Sequence, residues 1–177
     1  QVILLGVGAI GSFVCVALQS YGVEIIAMDI DQKRLDVAKQ LGADKTILIS
    51  TEITPAEIKT HFPAGVDVVF ETSGAPGATS GGLALAKRGG ILMLMGLNKT
   101  PQDFPFADAV LREVVMQTTV AHVCNEDMPE ALSLLASGTV AKLLTDRTFS
   151  LEKANEAFEL LISGKANGKI LVTPQNV

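Results

Sequence analysis

The sequence predicts an α/β fold in which a doubly wound, parallel six-stranded sheet carries helices on both faces. Two observations lead to this prediction. Short, almost continuously apolar runs alternate with segments of helical length, as expected for buried parallel strands joined by crossover helices. The first apolar run, Val2–Leu5, leads directly into a G-x-G-x-x-G sequence at Gly6–Gly11. A helix, a second strand and an acidic residue follow this glycine sequence.

The strand candidates come in regular order, and six of them complete a doubly wound unit by about residue 120. Thr72, Ser73 and Gly74 directly follow the fourth strand, and ligands bind beyond such carboxyl ends in open α/β sheets. The predicted strands are Val2–Leu5, Val23–Met28, Thr46–Ile49, Val66–Glu71, Ile91–Met95 and Val114–Val120, with Leu143–Phe149 and Gly168–Val172 in the tail.

Capping and stop residues delimit the helices. Asp31 and Ser150 are predicted N-caps, and Thr54 is an N-cap followed by proline at the first helical position. The stop signals are Gly22, Gly42, Lys87–Gly90, Ser137–Gly138 and Gly164. The predicted helices are Ala9–Tyr21, Gln32–Leu41, Pro55–His61, Pro76–Lys87, Phe104–Leu111, Met128–Ala136 and Leu151–Ile162, and residues 96–101, including Lys99, form a loop.

Composition bounds the class of protein. The 177 residues are 48% apolar and 19% charged, which indicates a globular chain with a real core. The net charge is −5 and no basic run occurs, so nucleic acid is not expected as a partner. No apolar run reaches the roughly 18 residues of a membrane span. Two cysteines and the absence of a visible signal peptide favour the reducing cytoplasm.

The glycine sequence has the spacing of a dinucleotide-binding Rossmann unit. Gly6 permits a tight turn, Gly8 lets the backbone approach a pyrophosphate, and Gly11 lets the helix pack closely on its strand. The helix beginning at Ala9 and Ile10 offers unpaired N–H groups and a positive dipole end to phosphates. The alternative is a strand-to-helix turn whose glycines serve packing alone.

Asp29 ends the second strand, eighteen residues after Gly11. Its carboxylate can accept hydrogen bonds from ribose hydroxyls, which favours NAD over the 2′-phosphorylated NADP. Arg34 lies in the first turn of the next helix. Its side chain either covers an adenine or is an ordinary solvated arginine, and the sequence leaves these two readings open.

Cysteine and histidine residues offer weak candidates for catalysis. Cys15 is predicted to be a small buried hydrophobe and His61 a surface residue. His122 and Cys124 follow the sixth strand, yet two candidate ligands at this spacing do not make a metal site. No catalytic residue and no metal ligand is therefore assigned.

Several motifs together resemble the cofactor-binding half of the medium-chain dehydrogenase/reductase family, of the zinc-dependent alcohol dehydrogenase type that includes sorbitol and threonine dehydrogenases. The likeness covers nearly the whole chain. The motifs are Gly6–Gly11, Asp29-Ile30-Asp31 with Arg34, Leu41–Asp44, Gly65–Glu71, Gly89-Gly90, Ala154–Phe158 and Ser163–Lys169.

The resemblance implies roles for individual residues in binding NAD. Asp29 would hold the adenosine ribose, and Ile30 and Arg34 belong to the same motif. Lys169 would reach the pyrophosphate, although the family often has an arginine near here and Asn167 stands at one such place. The remaining implied contacts are Ser73 and Gly74 beside the cofactor, and Met95, Gly96, Leu97, Thr118, Thr119 and Val120 near the nicotinamide.

The resemblance also implies what the chain does not contain. In this family a domain lying mostly N-terminal to the glycine motif binds the catalytic zinc, and that segment is not in this sequence. We therefore expect residues 1–124 to be the NAD-binding domain and residues 125–177 to be a tail that would return to the catalytic domain. The chain by itself is expected to hold no catalytic zinc and to have no dehydrogenase activity.

The parent enzyme would transfer a hydride between an alcohol or ketone substrate and NAD. A homodimer is expected, since the strands at Ile91–Met95 and Val114–Val120 supply an apolar sheet edge. One alternative is a stand-alone regulatory module that senses NAD(H). Another is a zinc-free quinone-reductase relative that uses NADPH. Asp29 makes this alternative less favourable, because the 2′-phosphate of NADPH would face its carboxylate.

Overall fold

The computed structural model describes residues 1–51, 54–98, 100–136, 138–166 and 168–174. Lys99 in the predicted loop, Ser137 at the predicted helix stop and Asn167 near the predicted pyrophosphate site lie outside these ranges. The chain divides into two compact units, Gln1–His122 and Val123–Val177.

The first unit is built on a six-stranded sheet with the order β3-β2-β1-β4-β5-β6. Every pairing is parallel, so the predicted doubly wound α/β fold is confirmed. The strand order reverses between β1 and β4, where a crevice opens at the carboxyl ends. The strands are β1 Val2–Leu5, β2 Ile25–Asp29, β3 Lys45–Leu48, β4 Val66–Glu71, β5 Ala86–Leu94 and β6 Val115–Thr118.

Helices connect these strands. Asp31 caps α2 by accepting a hydrogen bond from the Lys33 backbone N–H at 2.8 Å. Thr54 and Glu57 form a capping box at the start of α3, with proline at the first helical position as predicted. The helices of the first unit are α1 Ala9–Leu18, α2 Gln32–Gln40, α3 Pro55–Thr60, α4 Ala78–Leu85 and α5 Phe106–Leu111.

The core lies where continuous apolar runs were expected. All residues of β1 and β2 are buried, as strands covered on both faces must be. The central cluster also takes residues from α3, α4 and α5, among them Ile58, Leu83 and Ala109. The edge strand β6 is exposed along its whole length, and its pairing with a second copy stays a prediction.

The second unit contains a two-stranded parallel sheet. Its strands are β7 Thr145–Ser150 and β8 Lys169–Thr173, and its helices are α6 Cys124–Leu135, α7 Thr139–Leu144 and α8 Ala154–Ile162. Within the described ranges, no helix combines the length and apolar character that a bilayer crossing requires.

The boundary between α4 and β5 corrects the sequence prediction. The helix expected to run to Lys87 ends at Leu85, and β5 begins at Ala86 instead of Ile91. Ala86 pairs with Val66, and a register shift separates this contact from the regular ladder. Pairing with β4 thus overrides a local sequence that favours a helix followed by a glycine stop.

Helix limits in the rest of the chain also differ from prediction. The helices α4 and α5 begin at Ala78 and Phe106, two residues later than the predicted Pro76 and Phe104, and three other limits differ by three or four residues. The last three residues predicted in the first helix, Gln19–Tyr21, form a 3₁₀ turn, a frequent way for an α-helix to end. In the second unit, α6 begins at Cys124 rather than Met128, because Asp127 Oδ2 accepts from the Val123 N–H at 2.7 Å and satisfies an orphan donor. Ser150 precedes a 3₁₀ turn and makes no side-chain cap, so α8 starts only at Ala154.

The predicted seventh strand starts too early in the sequence. Leu143 and Leu144 end α7, a helix that was not predicted, and the strand begins at Thr145. Gly138 adopts a left-handed conformation (φ 72°) at the start of this helix. A six-residue helix is too short for a clear periodic signal, which is why the sequence did not indicate it.

Arg112 ties the end of α4 to the segment after α5. Its guanidinium donates to the backbone oxygens of Leu83 at 2.8 Å and Ala86 at 2.6 Å. It also holds the Asp108 carboxylate in a two-bond ion pair at 2.6 and 3.0 Å. This hydrogen bonding keeps the pKa of Asp108 below its usual value. Arg112 therefore satisfies carbonyls that the end of a helix leaves unpaired.

Substituting Arg112→Ala is expected to lower the free energy of unfolding by about 1–3 kcal/mol, because two carbonyls lose a charged donor. Arg112→Lys is the matched control. Lysine keeps the positive charge but lacks the planar guanidinium that donates to both carbonyls at once. We therefore expect a smaller decrease in the free energy of unfolding than for Arg112→Ala. Urea unfolding followed by circular dichroism measures both; an unchanged midpoint for Arg112→Ala would contradict the assignment.

Candidate functional site: a cleft at the carboxyl ends of β1, β2 and β4

A cleft of about 510 Å³ opens at the carboxyl ends of β1, β2 and β4. It lies beside the point where the strand order reverses, the usual ligand position in doubly wound sheets. The lining residues are Leu5, Gly6, Gly8, Met28, Asp29, Ile30, Arg34, Ile49, Ser50, Thr51, Pro55, Ile58, Thr72, Ser73, Ala75, Pro76, Gly77, Ala78 and Gly81.

The glycine turn packs tightly on the β4 side of the cleft. Gly6 has a φ of +90°, and a Cβ there would lie 2.8 Å from the Cβ of Ser73. A Cβ on Gly11 would overlap the Gly6 carbonyl oxygen, to which the Thr72 hydroxyl donates at 2.5 Å. Gly6 and Gly11 thus allow a close approach that no other residue type fits.

Gly8 is different, since it faces open space. A Cβ on Gly8 would meet no heavy atom of the described residues within 4 Å. Gly8 lines the cleft directly before α1, whose first N–H groups are available to an anion. Ala9 and Ile10 form the start of this helix, and they support the turn without lining the cleft. The turn therefore leaves room for a ligand at Gly8 alone among its three glycines.

Asp29 links β2 to the glycine turn. Its side chain is only 5% exposed, yet it lines the cleft. One carboxylate oxygen accepts from the Val7 N–H at 2.7 Å, and the other accepts from the Asp31 N–H at 3.0 Å. The carboxylate is therefore held in place by the backbone and keeps lone pairs for a ligand hydroxyl.

Arg34 lies on the same wall of the cleft. Its Nη1 is 3.9 Å from Asp29 Oδ1, a loose ion pair. Ile30, next to Asp29, is exposed and also lines the cleft. The structure thus brings together three residues of the motif at the end of β2, and Arg34 remains compatible with either of its two predicted roles.

The loops that end β4 and β5 meet around Glu71. The side chain of Glu71 is 1% exposed, and its Oε1 accepts from the Ser73 N–H at 2.8 Å, the Ser73 hydroxyl at 2.6 Å and the Gly74 N–H at 2.9 Å. Its backbone oxygen accepts from the N–H groups of Met95 at 2.8 Å and Gly96 at 2.9 Å. Ser73 lines the cleft, whereas Gly74 and Met95 are not among its lining residues.

The residues predicted near the nicotinamide lie along the carboxyl edge of β5 and β6, outside the lining of the cleft. Gly74 adopts a φ of +62°, and a Cβ there would lie 2.7 Å from the Leu97 carbonyl oxygen. Thr118 pairs with Leu94, and the Thr119 N–H donates to the Leu94 oxygen at 3.4 Å. Leu97 and Val120 are 76% and 84% exposed. Their roles toward a cofactor stay predictions.

Lys169 lies on β8 in the second unit and is exposed. Its contact with the pyrophosphate stays a prediction.

Cysteine, histidine and acidic residues form no metal site in the described part of the chain, where no group of three such side chains comes together. Cys15 is buried in α1, and burial raises the pKa of its thiol to about 11. A thiol of this kind is protonated at neutral pH and is a core residue, as expected.

Several residues of the cleft were not identified from the sequence. Thr72 was placed at the right strand end without a role, and Glu71 was taken only as the end of an apolar strand. The wall formed by Ile49–Thr51 and Pro76–Gly81 was missed because loops from separate βα units form it. The acidic residue at the end of a buried strand was the one local signal that pointed to Glu71.

The fold and the cleft together define a domain of the Rossmann type. The family model described as "Zinc-binding dehydrogenase" matches residues 9–137. The chain belongs to this family, and the resemblance identified from the sequence motifs is confirmed.

Named relatives agree with the family. L-threonine 3-dehydrogenase of Symbiobacterium thermophilum is 34% identical across 98% of this chain and 51% of its own length. Sorbitol dehydrogenase of Homo sapiens is 35% identical across 93% and 47%. The crystal structure of 2R,3R-butanediol dehydrogenase from Bacillus subtilis matches with a TM-score of 0.82 at 27% identity, across 99% of this chain and 51% of that one. The chain spans about half the length of the curated relatives it matches.

Proposed function

We propose that this chain is the NAD-binding part of a dehydrogenase that oxidises an alcohol or polyol, or reduces the corresponding ketone. The observation that carries the proposal is the Asp29 carboxylate, held at the wall of a cleft that also contains the open Gly8 position. The relatives reported above are named as dehydrogenases, and they give no support to a stand-alone regulatory module.

The residues of the cleft fit a dinucleotide. Asp29 accepts hydrogen bonds from the adenosine ribose, and the turn at Gly8 leaves space for the pyrophosphate beside the first turn of α1. Ser73 lies beside the cofactor, and the loop Met95–Leu97 borders the nicotinamide half. When bound, the nicotinamide ring supplies the carbon that accepts or donates the hydride.

Zinc does not fit the described part of this chain. Catalytic zinc requires three protein ligands and an open position, and the described residues bring no such group together. The expectations of an inactive isolated chain, a homodimer and a cytoplasmic location stay predictions of the same proposal.

The cofactor preference gives a direct test. The chain is expected to bind NADH at least about tenfold more tightly than NADPH. The 2′-phosphate of NADPH would face the Asp29 carboxylate, and it replaces the ribose hydroxyl that donates a hydrogen bond to this carboxylate in NADH. Isothermal titration calorimetry of the purified chain at equal ionic strength measures both affinities. Equal or tighter binding of NADPH, or no binding of either, would overturn the proposal.

A further inference from the structure

The carboxyl ends of β4 and β5 are held together by a buried charge that no role in cofactor binding explains. Glu71 uses its carboxylate for the loop Ser73–Gly74 and its backbone oxygen for Met95 and Gly96. Burying a carboxylate is costly unless several donors compensate for its lost hydration. Three donors to Oε1 provide that compensation, and they make the conformation of the loop after β4 depend on the carboxylate.

Close packing makes this junction rigid. A Cβ on Gly96 would overlap the Gly74 nitrogen and would lie 2.5 Å from Glu71 Oε2. On the opposite side, Ser73 abuts Gly6 of the glycine turn, where an added Cβ would lie 2.8 Å from the Ser73 Cβ. A continuous set of contacts thus runs from the glycine turn through Ser73 and Glu71 to the loop that ends β5.

This set of contacts connects the two halves of the predicted ligand site. A doubly wound sheet binds one mononucleotide on each side of the point where the strand order reverses. Asp29 and Gly8 belong to the β1–β2 side, and the loop at Met95–Leu97 belongs to the β5 side. Glu71 lies between them, at the end of the strand that adjoins both β1 and β5.

We propose that Glu71 is a positioning residue that sets the nicotinamide half of the site relative to the pyrophosphate half. The inference rests on the proposed function and adds to it, since Glu71 touches neither half of the ligand itself. A ligand that spans both halves depends on their spacing, whereas a ligand that occupies only the adenosine and pyrophosphate half does not.

The substitution Glu71→Gln tests this proposal with little change of volume. Glutamine has a neutral acceptor, which is weaker than a carboxylate for three donors, and it places an amide in the tight space beside Gly96. NADH affinity is expected to fall about tenfold, and affinity for ADP to change by less than about twofold. Calorimetric titration of the wild-type chain and the variant with NADH and with ADP measures the difference.

Asp44→Asn is the matched control. The Asp44 carboxylate also accepts a backbone hydrogen bond, from the Ile25 N–H at 2.8 Å, but at the amino end of β2 and away from the cleft. This variant is expected to change thermal stability without changing the ratio of NADH to ADP affinity. A thermal melt of each variant separates loss of folding from loss of ligand.

Three results would overturn the role of Glu71: an equal loss of NADH and ADP, unchanged binding of both, or tighter binding of both, which would indicate simple repulsion of the anionic ligand. If Glu71→Gln does not fold, Glu71→Asp decides in its place, because it keeps the charge but withdraws the carboxylate from the Ser73 and Gly74 donors, and the same selective loss is expected. The proposed function has its own test, because it would be contradicted if the wild-type chain did not bind NADH.

Discussion

Gly8→Ala and Gly11→Ala are expected to have opposite effects, although the two glycines belong to one turn. Gly11→Ala should lower the free energy of unfolding by about 3 kcal/mol, the upper range for overpacking, because its Cβ overlaps the Gly6 carbonyl and the backbone cannot move aside. Gly8→Ala should change stability by less than about 0.5 kcal/mol, since its Cβ meets no atom of the described residues within 4 Å.

Ligand binding reverses this order of effects. The Cβ in Gly8→Ala enters the space proposed for the pyrophosphate, so NADH affinity should fall by at least about tenfold in a fully folded protein. Urea unfolding and NADH fluorescence titration give the two readouts, and each variant is the control for the other. A stable Gly8→Ala protein with wild-type NADH affinity would show that the turn serves packing alone.

Asp29→Ala is expected to lower NADH affinity by about tenfold or more and to narrow the difference between NADH and NADPH. The variant loses the ribose acceptor and also the repulsion of a 2′-phosphate. The structure adds a second effect, because Val7 and Asp31 lose the acceptor of their N–H groups. Stability should therefore fall by about 1–3 kcal/mol.

Asp31→Ala is the matched control for this experiment. It removes a carboxylate two residues away that caps α2 through the Lys33 N–H, and it should cost about 1 kcal/mol of stability. The preference for NADH should persist in Asp31→Ala and weaken in Asp29→Ala, as measured by parallel calorimetric titrations with NADH and NADPH. Retention of the full preference in Asp29→Ala would show that another group discriminates between the cofactors.

Local sequence determined the pattern of the first unit. Continuous apolar runs gave β1, β2 and β4, and caps such as Asp31 and Thr54 gave helix starts, because strand burial and capping depend on a few neighbouring residues. The limits of α4, β5 and α7 did not follow in this way. At the start of β5, pairing with Val66 competes with local helix propensity, and only the assembled sheet decides the result.

The sequence by itself determined the half of the site that lies within one strand–helix–strand unit: the glycine turn and Asp29, whose spacing along the chain reflects a single local geometry. Only the tertiary structure decided the rest. It placed Thr72 on the Gly6 carbonyl, Ser73 against the glycine turn and Glu71 between the loops after β4 and β5. These contacts join residues more than sixty positions apart or at separate strand ends. Their positions follow from the strand order of the sheet, which no local pattern encodes.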